Sequence, residues 1–169
     1  MTKQFLLVVW GLTVFAGYML TGMLGQGGGP GVDDILWLWT ILMILPVALT
    51  VRLDDAGKLA WVWAGATVLF LLENWFAFGF ASMAVKHFSF HQLWFLFGAL
   101  GFAYTASVVE GSSRKALYGV AAALNALGLV LLYTPAHHTV EPLAFPILMI
   151  IQGAPMLIDA PLREMVESD

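Results

Sequence analysis

The chain alternates long apolar runs with short clusters of charged and turn-forming residues. Six runs stand out, at 5–24, 35–51, 59–84, 93–109, 116–133 and 143–158. Each is close to the roughly 20 residues that an α-helix needs to cross the hydrocarbon of a bilayer. A backbone polar group left unpaired in hydrocarbon is costly, so apolar runs of this length fold as helices that satisfy their own N–H and C=O groups. The pattern therefore predicts an all-α fold, a single integral membrane domain over 1–169 built as a polytopic bundle of six antiparallel transmembrane helices. Asp33 and Asp34 suit the N-cap of the second helix, and Pro46 predicts a kink within it. The first run could also be read as a secretory leader. It is longer than the apolar core of one and is followed by no A-x-A site, so it is read as a helix; cleavage would leave five.

Composition sharpens this picture. Hydrophobic residues make up 60% of the chain and charged residues 11%, against about 25% charged in an ordinary soluble domain. Of the 7 Lys and Arg residues, Lys3, Arg52, Lys58, Arg114, Lys115 and Arg163 fall on one predicted side and only Lys86 on the other. Positive loops stay cytoplasmic, so both termini are expected inside, N-in and C-in. Trp37, Trp39, Trp94 and Tyr133 fall towards one predicted interface and Trp61, Trp63 and Tyr118 towards the other, the layout of aromatic anchors. The fifth run carries Ala116, Gly119, Ala121, Ala122, Ala123, Ala126 and Gly128, small residues that predict a closely packed, central helix.

Several chemistries drop out. Without a cysteine there is no disulfide, thiolate metal site or thiol nucleophile. A net charge of −4 without any polybasic stretch argues against nucleic acid. The Gly-rich segment 25–31 lacks the Lys-Ser/Thr of a phosphate-cradling loop and any preceding strand. The partners expected are the lipid bilayer and either further copies of the chain, as a homo-oligomer, or a larger membrane complex.

Two polar constellations remain as candidate sites. Glu73 and Asn74 sit near the middle of the third run, Asn125 and Gln152 near the middle of theirs, so by depth these side chains could meet inside the bundle. An ionisable group at that depth costs about 2.5–3.5 kcal/mol even on lenient scales and marks a functional site by default. On the last run Gln152, Met156 and Asp159 share a helix face, carrying polarity towards the cytoplasmic end. The expectation is a small transporter or ion- or proton-conducting protein with Glu73 at its centre. A structural membrane subunit, with the same residues only fixing helix register, is the bland alternative.

The second constellation is outer. His87, His91, His137 and His138 all fall in loops of the predicted outer side, with Glu141 beside the second pair. His87 and His91 stand one helical turn apart, a spacing that lets two imidazoles share a metal. With His137, His138 and Glu141 they would form an all-nitrogen-and-oxygen set suited to Zn, Cu or non-haem Fe, or to haem if His91 opens its helix. This predicts the alternative function of a membrane redox or metal-binding component, either an enzyme or an accessory subunit. The spacing is similar to the histidine boxes of membrane di-iron hydroxylases and desaturases, which carry more histidines and place them on the cytoplasmic face. That difference in number and side keeps the chain apart from them.

Overall fold

The computed structural model describes residues 2–26, 32–53, 56–82, 85–86 and 88–167, without the side chains of 25–26, 32–33, 90 and 163–167. Residues 27–31 of the Gly-rich segment 25–31, the Asp33 side chain, Asp54, Asp55 and His87 lie outside that description. Every element among the described residues is helical: α1 (Lys3–Gln26), α2 (Val32–Arg52), α3 (Gly57–Phe80), α4 (Leu93–Val108), α5 (Ser112–Leu131) and a last helical course, α6, spanning His137–Leu162 and continuing to residue 167. A π turn, Phe88–Gln92, leads into α4. Five of these helices are long and apolar enough to cross a membrane, and α4 is a shorter apolar helix.

The helices form a ring. Each packs on the next in sequence and α6 returns to α1, with the α4–α5 and α1–α6 pairs the most extensive and α3–α4 the lightest. The surface is inside-out relative to a soluble protein. Thr13, Thr21, Thr67, Asn74, Asn125, Gln152 and Asp159 are buried, whereas Leu12, Ile41, Ile44, Leu69, Leu72, Phe76, Leu127 and Ile150 face outwards. In hydrocarbon the apolar outer surface costs nothing and the polar groups gain by finding one another inside, so this arrangement fits a multi-pass membrane protein.

Close approach of the helices depends on glycines facing rings. A Cβ on Gly17 would overlap the Trp39 ring, one on Gly101 the Trp63 ring, and one on Gly128 the Phe95 ring. One turn beyond the first two glycines stands a threonine that receives the same indole: Trp39 Nε1 donates to Thr21 Oγ1 at 3.0 Å and Trp63 Nε1 to Thr105 Oγ1 at 3.0 Å. Each threonine passes its own proton to the carbonyl one turn back, Gly17 and Gly101 respectively. Trp75 and Thr40 repeat the indole-to-hydroxyl bond between α3 and α2 at 2.9 Å. Thr21→Val keeps the shape but removes the acceptor from the buried Trp39. It is expected to lower stability in detergent by about 1 kcal/mol, read as a drop in thermal midpoint that Thr21→Ser does not share.

Two expectations change. The fifth helix is not central: α5 uses its small residues on one face, where Ala121, Asn125 and Gly128 meet α4 and α6, while Ala116, Ala123, Ala126 and Leu127 are exposed. Small residues permit close approach on whichever face a neighbour uses, and here α4 takes that face. The aromatic belts are also thinner than predicted. Trp37, Trp61 and Tyr133 are exposed by 57%, 51% and 68%, as anchors would be, but Trp39, Trp94 and Tyr118 are buried in the bundle and Trp63 is partly buried.

Candidate functional site: a charged cavity and a buried amide chain

α6 sets the site through its prolines. Pro155 has no N–H to give the Ile151 carbonyl, and its ring would press on that oxygen in a regular α-helix. The turn just before it, Met149–Gly153, is a π-helix, whose wider course relieves that pressure. The turn presents Gln152 to the bundle centre. There Tyr18 Oη donates to Gln152 Oε1 at 2.8 Å, while Gln152 Nε2 donates to Asn125 Oδ1 at 2.7 Å and to the Trp94 carbonyl at 2.9 Å. Asn125 Nδ2 finishes the chain on the Ala121 carbonyl at 2.8 Å. Four helices are joined in this way, and each amide has one orientation that satisfies it. The amides fit against α4 because residue 98 is glycine; a Cβ there would overlap both Asn125 Oδ1 and Gln152 Nε2.

Two turns further along α6, Asp159 is 1% exposed. Arg114, from the first turn of α5, grips it with both arms of a fork: Nε to Oδ1 at 2.5 Å and Nη2 to Oδ2 at 2.9 Å. Tyr118 Oη adds a third bond to Oδ2 at 2.8 Å. This group lines a cavity of about 80 Å³, walled by Leu6, Trp10, Trp63, Phe102 and Met156 and reached by Lys3. A space of that size holds a handful of waters. Trp10, Trp63, Phe102 and Met156 also line a narrower crevice, which continues past Val14, Met43 and Thr67 to Tyr18 and Gln152. Beyond it rings close the bundle: Trp39 lies 4.8 Å from Tyr18 and 5.1 Å from Trp94, and Phe70 lies 4.1 Å from Phe97.

Glu73 and Asn74 lie on the far side of those rings, so they do not meet Asn125 and Gln152. Asn74 Nδ2 donates to Glu73 Oε2 at 2.8 Å and to Ser89 Oγ at 3.1 Å, and Ser89 Oγ donates to the same carboxylate oxygen at 2.8 Å. Asn74 and Ser89 are buried; Glu73 is only partly so. The third helix ends at Phe80, with Ala81 already extended, rather than reaching residue 84. Glu73 is thereby nearer the helix end than its place in the apolar run implied, and it ties α3 to the π turn ahead of α4.

The described histidines do not form one cluster. His91 stacks near Phe145 with ring centroids 5.7 Å apart, His137 lies against His138 at 3.7 Å, and His137 Nδ1 is 3.0 Å from the Thr134 carbonyl. Among the described residues no three His, Asp or Glu side chains come together as a metal site.

Tyr18, Ser89, Gly98, Arg114 and Tyr118 were not among the candidate site residues read from the sequence, which gave Arg114 only as a loop cation and Tyr118 only as an interface aromatic. Two signals pointed to some of them. A tyrosine in mid-run needs a partner for its hydroxyl, and an aspartate in a span needs a counter-ion, for which Arg114 lies on the same predicted side. Neither a scan against protein-family models nor searches of curated proteins and of solved structures find a match to this chain.

Proposed function

We propose that the protein is a small membrane transporter of six spans, with α4 as the shortest span and both termini cytoplasmic, that loads a small solute at the Arg114–Asp159 end. The observation that carries this reading is the buried ion pair facing a cavity that narrows to the Tyr18–Gln152–Asn125 chain. Buried pairs seldom add net stability over apolar packing, so a pair kept beside a cavity is better explained by what the cavity holds. The side assignment is supported by Lys3, Lys58 and Arg114 gathering around one shallow depression at that end. In this scheme the amide chain and the rings form the barrier, and the Glu73–Asn74–Ser89 cluster closes the outer side. Glu73 then acts as an outer closure group in place of the central titrating group expected from the sequence.

The absence of cysteine makes the test direct, because any single cysteine introduced is the only thiol. Ala60→Cys lies in the cavity, Glu73→Cys in the outer cluster and Thr67→Cys in the crevice between. With a membrane-impermeant methanethiosulfonate applied to oriented vesicles, Ala60→Cys is expected to react from the cytoplasmic side and Glu73→Cys from the outer side. Thr67→Cys is expected to react from both, as alternating access demands. Reaction of Thr67→Cys from one side only would make the cavity a dead-end pocket and end the transport reading.

A further inference from the structure

Resting on the transport reading above, we propose that the bundle is built as an inverted pair about an axis in the membrane plane, and that a second vestibule, equivalent to the cavity, opens at the outer end as the cavity closes. The relation begins in the sequence. Trp10, Gly17, Tyr18 and Thr21 of α1 recur at the same spacing as Trp94, Gly101, Phe102 and Thr105 of α4. The contacts recur with them. Trp39 of α2 covers Gly17 and donates to Thr21 at 3.0 Å; Trp63 of α3 covers Gly101 and donates to Thr105 at 3.0 Å. Trp39 meets the Tyr18 ring at 4.8 Å, and Trp63 meets the Phe102 ring at 5.3 Å. Phe145 of α6 stacks on Tyr18 at 6.4 Å and 27°, as Tyr118 of α5 stacks on Phe102 at 5.8 Å and 22°. Two helical turns after these last rings come Gln152 and Asn125, which bond to each other at 2.7 Å, as equivalent groups beside a common axis can.

The operation exchanges α1 with α4, α2 with α3 and α5 with α6. It also exchanges the two most extensive helix pairs, α1–α6 and α4–α5. Lys3, Lys58 and Arg114, near the starts of α1, α3 and α5, border one depression together with Val108 at the end of α4. α1 and α4 therefore run in opposite directions, which makes the relation an inverted one. In transporters an inverted relation lets one arrangement of the two halves open inwards and its equivalent open outwards.

One contact breaks the relation. At the outer end Trp39 and Trp94 stack, with centroids 5.1 Å apart and planes at 28°. Their equivalents at the inner end, Trp63 and Trp10, do not stack and instead line the cavity. Both pairs are tryptophan on tryptophan, so residue type does not account for the difference; the inner pair is parted and the outer pair shut. Exchanging the two arrangements closes Trp10 on Trp63 and parts Trp39 from Trp94, giving the outer vestibule. The ion pair is not repeated, because the positions equivalent to Arg114 and Asp159 hold Glu141 and Leu132. The relation thus lies in the rings, glycines and amides, and the charges mark the inner end alone.

The test uses two single-cysteine chains in oriented vesicles and an impermeant methanethiosulfonate. Ala60→Cys reports the cavity, and Leu36→Cys, at the equivalent position and buried, reports the outer vestibule. Trp94→Leu weakens the outer closure while keeping the backbone carbonyl that Gln152 uses. It is expected to speed Leu36→Cys from outside by about two- to tenfold, the worth of one aromatic pair, and to slow Ala60→Cys from inside. Trp10→Leu weakens only the outward arrangement and is expected to slow Leu36→Cys, at the other end of the bundle, by a similar factor. Loosened packing alone would speed the thiols in both variants. Where a leucine variant does not fold, Trp94→Phe and Trp10→Phe decide, with smaller changes of the same signs. Both variants moving Leu36→Cys in the same direction, or neither moving it, overturns the proposal; if Thr67→Cys still reacts from both sides, transport stands and proceeds by another movement. Reaction of Thr67→Cys from one side only overturns the transport reading itself.

Discussion

Asp159→Ala is expected to cost about 3–5 kcal/mol of folding free energy, the range for removing one partner of a buried ion pair. The loss comes less from the bonds themselves than from what stays behind. Arg114 is 9% exposed and cannot shed its proton, so without Asp159 its charge stays buried beside the aromatic wall with the two bonds of its fork to Asp159 unmade. The double variant Arg114→Met with Asp159→Leu removes both charges and keeps most of the volume. It is expected to recover most of the stability, because apolar packing commonly equals or exceeds a buried pair. Unfolding in mixed micelles, followed by circular dichroism, measures both. The pairing also separates stability from function: the double variant should be folded and yet inactive in transport. An Asp159→Ala protein as stable as the parent would mean that the pair is hydrated rather than buried, and the cavity would lose its polar head.

What the sequence disclosed and what it hid follow from the range of the signals. Helicity and outward apolarity are local properties, so the first five apolar runs appear as helices within a few residues of their expected ends, while the last helical course, expected at 143–158, runs from His137 to residue 167. Depth along a span is also local, and it placed Asn125 and Gln152 at one level, where they bond at 2.7 Å. The direction in which a side chain points around the ring is not local. Glu73 was placed at that level because the third run extends to Ala84, but the helix stops at Phe80 and the residue turns to Ser89 instead of Gln152. Arg114 looked like a loop cation because the apolar run begins at Ala116. Its helix starts at Ser112, after Gly111 takes a φ of +85° that side chains rarely adopt, and this brings Arg114 inside facing Asp159. Tyr18 was hidden by the same limitation: nothing in α1 records that the partner of its hydroxyl lies at residue 152.

Gly98→Ala, a change of one methyl group, is expected to be among the most damaging small substitutions in the chain. The added carbon would lie on top of Asn125 Oδ1 and Gln152 Nε2. Side-chain ends can usually swing away, but Gln152 is also held by Tyr18 and by the Trp94 carbonyl, and Asn125 by the Ala121 carbonyl. Any movement that makes room therefore breaks a bond that has no replacement in the interior. Overpacking of about 1–3 kcal/mol combines with about 1–3 kcal/mol for a buried polar group left unsatisfied, giving an expected loss of about 2–6 kcal/mol. Gly65→Ala is the matched control, since a Cβ there meets nothing within 4 Å. Replacing glycine by alanine in an open helical position favours the helix by up to about 1 kcal/mol, so that variant should be neutral or more stable. The two thermal midpoints, followed by tryptophan fluorescence, should thus move in opposite directions. Adding Asn125→Ala to Gly98→Ala removes the oxygen that the methyl group strikes and should restore part of the loss. Equal midpoints for Gly98→Ala and Gly65→Ala would show that α4 does not press on the amide chain, and the barrier assigned to Tyr18, Gln152 and Asn125 would have no rigid wall behind it.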